Sequence, residues 1–230
     1  MNILRILTLL FLISINTSLF SQTIETPNSA FASHPLMITK IELSENQTVI
    51  ELELENQSPN GYFCADKSIS LLDTKRSVKY ELIKSKGIPV CPANYKFKSV
   101  GEKLTFQLFF PEILPQTKYL SIIENCDNNC FSILGIIIDS EMNTEINLAY
   151  NYYFEGKLDF ALAAFLNVIK NNPDYQFGYL YSNVIQIYAE KNDIESAKLW
   201  YNKLNESEFM DKKIVLNNLK SKAYYSKLIF

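Results

Sequence analysis

The sequence predicts an all-β half of about seven strands in two stacked sheets, followed by an all-α half built of helical hairpins. Three observations predict it. Apolar residues recur with a period of two from about residue 36 to 139, and with a helical period from residue 141 onward. Turn residues punctuate the first half at short intervals. In the second half, a pattern of small, aromatic and helix-ending residues recurs at a constant offset of 36.

The chain opens on the pattern of an export signal. Asn2 and Arg5 make a short basic start, and Ile6 to Ile15 is an apolar run too short to span a bilayer. Ser21 then places a small residue before Gln22, although Leu19 departs from the small residue expected two positions upstream. Residues 1–21 are therefore read as a cleaved signal peptide. Cleavage leaves 209 of the 230 residues and, with Arg5 gone, takes the formal charge from −3 to −4. No later segment approaches the length of a membrane span, so none is expected after cleavage. Residues 22–35 are read as a linker, with His34 in it as a solvated side chain.

The β half is assigned to residues 36–140. In "QTVIELELE" the residues Thr48, Ile50, Leu52 and Leu54 fall on one face and Val49, Glu51, Glu53 and Glu55 on the other, the mark of a half-buried antiparallel strand. "LMITKIEL" precedes it, and "SISLL", "VKYELI", "LTFQLFF", "KYLSII" and "SILGIII" follow. Ser58-Pro59-Asn60-Gly61, Gly87-Ile88-Pro89, Val100-Gly101 and the stretch from Pro111 to Thr117 break these runs. About seven strands in this length is the pattern of a β-sandwich of immunoglobulin-like type. The carboxylates of Glu51, Glu53 and Glu55 read as a solvated sheet face rather than a cation site.

Four cysteines in an exported chain imply two disulfides. Of the three pairings, Cys64–Cys91 with Cys126–Cys130 is favoured, because a tight turn joins the ends of the second pair. Cys126 and Cys130 are three residues apart rather than two, beside the acidic Glu124 and Asp127, which disfavour a reactive thiolate. A structural clip is the expectation, and a thiol oxidoreductase the distant alternative.

The α half is assigned to residues 141–230. Overlaying 145–170 on 181–206 matches Leu148 with Val184, Tyr152 with Tyr188, Gly156 with Asn192, Ala161 with Ala197 and Phe165 with Tyr201. Gly156 and Asn192 suit the left-handed conformation that ends a helix, and Ala161 and Ala197 are small where paired helices cross. Over 142–211 this resembles the tetratricopeptide repeat, through Ala149, Tyr152, Ala161-x3-Phe165 and Pro173 in the first copy. The second copy keeps Tyr188 and Ala197-x3-Tyr201 but carries Ile185 and Phe209 where the small residue and the proline belong. The offset exceeds the family's 34 residues, placing the extra length near Asn171–Gln176. One last helix is expected over about 211–228, presenting Val215, Leu216, Leu219 and Ala223.

The resemblance implies a concave groove lined by the first helix of each hairpin. Its candidate residues are Asn143, Asn147, Tyr150 and Tyr153, then Tyr179, Ser182, Asn183 and Gln186. That face is aromatic and amide-rich, suited to an extended peptide. The alternative is that these side chains pack against the β half. Family members that grip a peptide C-terminus use Lys in the groove, and no Lys falls on the expected face here.

Composition excludes other classes. Residues 34–140 hold 11 basic and 13 acidic side chains and residues 141–230 hold 10 and 11, so neither half suits nucleic acid. One histidine, six glycines and no G-x-S-x-G, H-E-x-x-H or phosphate-binding loop argue against an enzyme, and no cofactor or metal is expected. Few arginines beside abundant Asn, Lys and Ile suit an AT-rich bacterial genome. The expected function is an exported, periplasmic or secreted, non-enzymatic protein that binds another protein or peptide of the cell envelope. The alternative is a glycan- or surface-binding module that uses sandwich loops carrying Tyr62, Phe63 and Tyr95.

Overall fold

A computed structural model describes residues 21–127 and 130–229. Apart from Ser21, the expected signal peptide lies outside these residues. Among the described residues, twelve strands form three antiparallel sheets and six helices follow them. This is a mixed α/β fold, which corrects the expectation of a seven-stranded sandwich followed by an all-α repeat domain.

The correction has two sources. The first is five strands beyond the seven apolar runs. Segment 22–35 is no simple linker: β1 (Ser21–Glu25) pairs with β3 (Leu36–Ser44) along its whole length, and β2 (Phe31–Ala32) pairs with the last strand, β12 (Ser132–Ile137). With β4 (Thr48–Glu55), β8 (Lys84–Lys86) and β10 (Lys103–Phe110), the first sheet runs β1-β3-β4-β10-β8. With β6 (Ser70–Asp73), β7 (Val78–Glu81) and β11 (Tyr119–Ile123), the second runs β2-β12-β11-β6-β7. The short strands β5 (Tyr62–Phe63) and β9 (Tyr95–Lys96) pair by themselves.

The two larger sheets share one core, in which Ile41, Ile50, Leu52, Phe106 and Leu108 of the first meet Leu71, Ile122, Ile133 and Ile136 of the second. Alternation along β4 turns Ile50 and Leu52 into this core. On its other face Glu53 pairs with Lys103 at 2.7 Å, while Thr39 and Gln107 donate to Glu51 at 2.9 and 3.1 Å.

The second source is a shared sheet–helix core. Tyr119 of β11 and Ile137 of β12 belong to the same buried cluster as Met142, Ile146, Phe165, Tyr175 and Phe177. Asp139, two residues past the end of β12, caps α1 (Ser140–Phe154) by accepting from the N–H groups of Glu141 and Met142. The connection between α2 (Leu158–Asn171) and α3 (Tyr179–Glu190) returns to the sheet, where the Tyr175 hydroxyl donates to the Gly135 carbonyl at 2.7 Å. The Tyr119 and Tyr175 rings also pack at a tilt, with centroids 4.9 Å apart.

The two hairpins end their first helices identically. Gly156 and Asn192 have φ of +72° and +61°. Gly156 N–H donates to Tyr153 O and Lys157 N–H to Tyr152 O, and the same pair of bonds recurs from Asn192 to Ala189 and from Asp193 to Tyr188. This is the paired capping of a Schellman turn. Asp193 then caps α4 (Ile194–Glu206). Ala161 and Ala197 are fully buried.

The expected last helix over 211–228 is two helices, α5 (Lys212–Lys220) and α6 (Tyr225–Ile229). Tight bonds from Ser221 to Asn218 and from Lys222 to Leu219 end α5. The turn folds α6 back so that Leu228 joins Val215 and Leu219 in a third core, while Ala223 is exposed.

Candidate functional site

The eight residues expected to line a groove divide into three groups. Tyr150 and Tyr153 on α1 meet Asn183 and Gln186 on α3. The Asn183 side-chain amide donates to the Tyr150 hydroxyl at 2.9 Å, and that of Gln186 to the Tyr153 hydroxyl at 2.7 Å. Both tyrosines are half-buried, and the cavity among these four residues is about 30 Å³. Burial raises both phenols above their ordinary pKa; for Tyr153, the hydrogen bond to Glu190 adds to the shift.

Glu190, one turn beyond Gln186, belongs to this face and was not among the expected residues. Its Oε1 accepts from the Tyr153 hydroxyl at 2.7 Å and from Gln186 at 2.9 Å. The face therefore carries a carboxylate. The four-residue spacing from Gln186 was the signal that could have found Glu190. Phe154 also joins it, 79% exposed and stacked 6.2 Å from Tyr150.

The second group, Asn143 and Asn147, grips the N-terminal segment. Asn143 is buried; its amide donates to the carbonyls of Ile137 and Asp139, at 2.7 and 3.1 Å. Its Oδ1 accepts from the backbone N–H of Asn28 at 2.8 Å and from the Asn28 amide at 3.0 Å. Asn147 is exposed and accepts from the same amide at 3.0 Å. The segment they hold runs beside β12, with Ile137 N–H donating to Asn28 O and Ala30 N–H to Leu134 O.

Tyr179 and Ser182 lie elsewhere. The Ser182 hydroxyl bonds back to the Tyr179 carbonyl. Tyr179 packs edge-on against Tyr175, 5.9 Å between centroids, and burial drives its phenol pKa well up. Its backbone N–H and that of Gly178 donate to the buried carboxylate of Asp211, at 3.2 and 2.6 Å. Asp211 thus caps α3 from the start of α5. Burial pushes its carboxyl above the ordinary value, opposed by these N–H bonds.

The loop aromatics form a separate place. A cleft of about 600 Å³ is bordered by Cys64, Cys91 and Cys126 and lined by His34, Asn60, Tyr62, Asp66, Asn94 and Asp127 among others. Tyr62 is 63% exposed, whereas Tyr95 is half-buried and donates to Glu102 at 2.8 Å. His34 is not the solvated residue expected: it is half-buried, 6.1 Å from the Phe63 ring, and burial lowers its pKa. The Glu124 carboxylate is buried beneath this end and accepts from the N–H groups of Asp66 and Phe131.

Cys64–Cys91 and Cys126–Cys130 are both closed. Two disulfides fit an oxidising, extracellular compartment. No helix of the described residues is long and apolar enough to cross a membrane. Among them, no group of three His, Cys, Asp or Glu is placed to hold a metal ion. In comparisons with known proteins, the chain matches no family model, no curated protein and no solved structure.

Proposed function

We propose that the chain is an exported, non-enzymatic interaction protein, and that the face shared by α1 and α3 binds a segment of another protein in the periplasm or outside the cell. The observation that carries this reading is the grip of Asn143 and Asn147 on Asn28. One end of the face already holds the irregular segment between β1 and β2 through its backbone N–H, as peptide recognition requires. Beyond that end, Tyr150, Tyr153, Asn183 and Gln186 continue the same amide-and-phenol chemistry beside an exposed Phe154. The resemblance of the hairpins to the tetratricopeptide repeat supports using this face rather than the outer one. Cleavage before Gln22 is part of the proposal.

The test uses Phe154→Ala. An aromatic at the centre of an interface carries about 2 kcal/mol or more, about thirtyfold in affinity. Because Phe154 stands mostly in solvent, its loss should leave folding stability nearly unchanged. Partner recovered with the native chain from source-cell envelope or medium should fall steeply with the variant. Equal recovery would refute the reading.

A second reading, glycan or surface binding at the disulfide end, rests on the exposed Tyr62 over its cleft. Tyr62→Ala should then abolish binding that Phe154→Ala leaves intact.

A further inference from the structure

A cleft of about 810 Å³ is neither of these places. It opens between the first sheet and the start of α1, where the Gln22 amide donates to the Ser140 hydroxyl at 3.0 Å. Leu43, Ile113, Leu114 and Ile138 give it an apolar lining, with Leu114 44% exposed. Such a volume and lining suit an organic molecule of modest size.

Two further observations define what would fit. Three carboxylates at the cleft, Glu45, Glu112 and Glu141, are exposed and have no ion-pair or hydrogen-bond partner for their side chains among the described residues. The one lysine there, Lys118, is taken by Asp139 at 2.8 Å. Thr48 also lines the cleft. It is fully buried, and its hydroxyl makes no hydrogen bond. A buried hydroxyl without a partner is uncommon in a folded protein.

We infer that this cleft binds a small organic cation with an apolar body, of the alkylammonium class. The apolar part lies on Leu43, Ile113, Leu114 and Ile138, and the positive end faces the unpaired carboxylates. A fatty-acid anion of the same length meets like charge instead.

Titration calorimetry with n-octylammonium, octanoate and octanol tests this on the full mature chain. Octylammonium should bind about tenfold or more tightly than octanoate, with octanol between them. The double charge reversal Glu112→Lys with Glu141→Lys changes exposed side chains only and should invert the order. A native-like circular dichroism spectrum and melting curve of the double variant accompany the titration. If the reversal unfolds the chain, Glu112→Gln with Glu141→Gln serves, and should bring octylammonium and octanol to similar affinity. Equal binding of octylammonium and octanoate, or an order unmoved in the folded variant, would overturn the inference. A lysine-flanked apolar hexapeptide that binds more tightly than octylammonium would overturn it in favour of a peptide site.

Discussion

Replacing Gly135 with Ala should damage the seam between sheet and helices. Gly135 lies inside β12 with φ of +64°, where an L side chain is strained by about 1–2 kcal/mol. Its backbone is tied on both sides: its N–H donates to the Ser121 hydroxyl at 3.1 Å and its carbonyl accepts from Tyr175. An added Cβ would lie 2.8 Å from Phe177 Cγ and 2.9 Å from Ala30 Cβ. Those neighbours come from the helical connection and the N-terminal segment, so the methyl wedges three pieces of chain apart. Overpacking of this kind costs about 1–3 kcal/mol. The sum, about 2–5 kcal/mol, should lower the melting temperature by about 5–15 °C for a chain of this size. Gly156→Ala is the control: it has φ of +72° but nothing within 4 Å of the added Cβ, so it should show the backbone strain alone. Thermal denaturation of the native chain and both variants, followed by circular dichroism, gives the comparison. If Gly135→Ala loses no more than Gly156→Ala, the close packing of sheet against helices is wrong.

Asp211→Ala should cost about 1–3 kcal/mol, because it strands the buried N–H of Gly178 and leaves α3 uncapped; urea unfolding measures it. Replacing Cys64 and Cys91 with Ser should cost about 3–4 kcal/mol in the loop-entropy account, for a bridge spanning 27 residues, and calorimetry under non-reducing conditions reads the loss. Acid should loosen the seam. Burial opposes ionisation of Asp139 and Asp174, but bonds to Lys118 and to Lys75 outweigh it and hold both carboxyls below their ordinary pKa. The stability they supply is present above the ordinary carboxylate range and lost as the pH falls through the depressed values. The stability deficit of Asp174→Asn relative to the native chain should therefore shrink below about pH 4, as read from melting curves across pH.

What the sequence revealed follows from how local each signal is. The seven strands carrying apolar alternation were legible because each needs only its own residues, as in Ile50 and Leu52 of β4. The edge strand Lys84–Lys86 was not, since it is polar throughout, as exposed edges are. Strand β1 buries only Ile24, and so read as linker. The helical hairpins were legible from Gly156, Asn192, Ala161 and Ala197, which all act within one hairpin. The seam was not: Tyr175 and Gly135 are 40 residues apart, and Asn28 and Asn143 are 115 apart. The same distinction divides the candidate site. Tyr150 with Asn183 and Tyr153 with Gln186 are 33 residues apart, on first helices that the 36-residue offset sets in correspondence. The capture of Asn28, and the commitment of Tyr179 to the Asp211 cap, depend on how separate segments meet.

The most direct test of the binding face is photo-crosslinking in the source cells from a reactive side chain placed at position 154, with position 62 as comparison. The account predicts a covalent adduct to a discrete protein from position 154, lost when Asn183 and Gln186 are both replaced by Ala in a chain that still folds. Adducts from position 62 alone, with none from position 154, would contradict it.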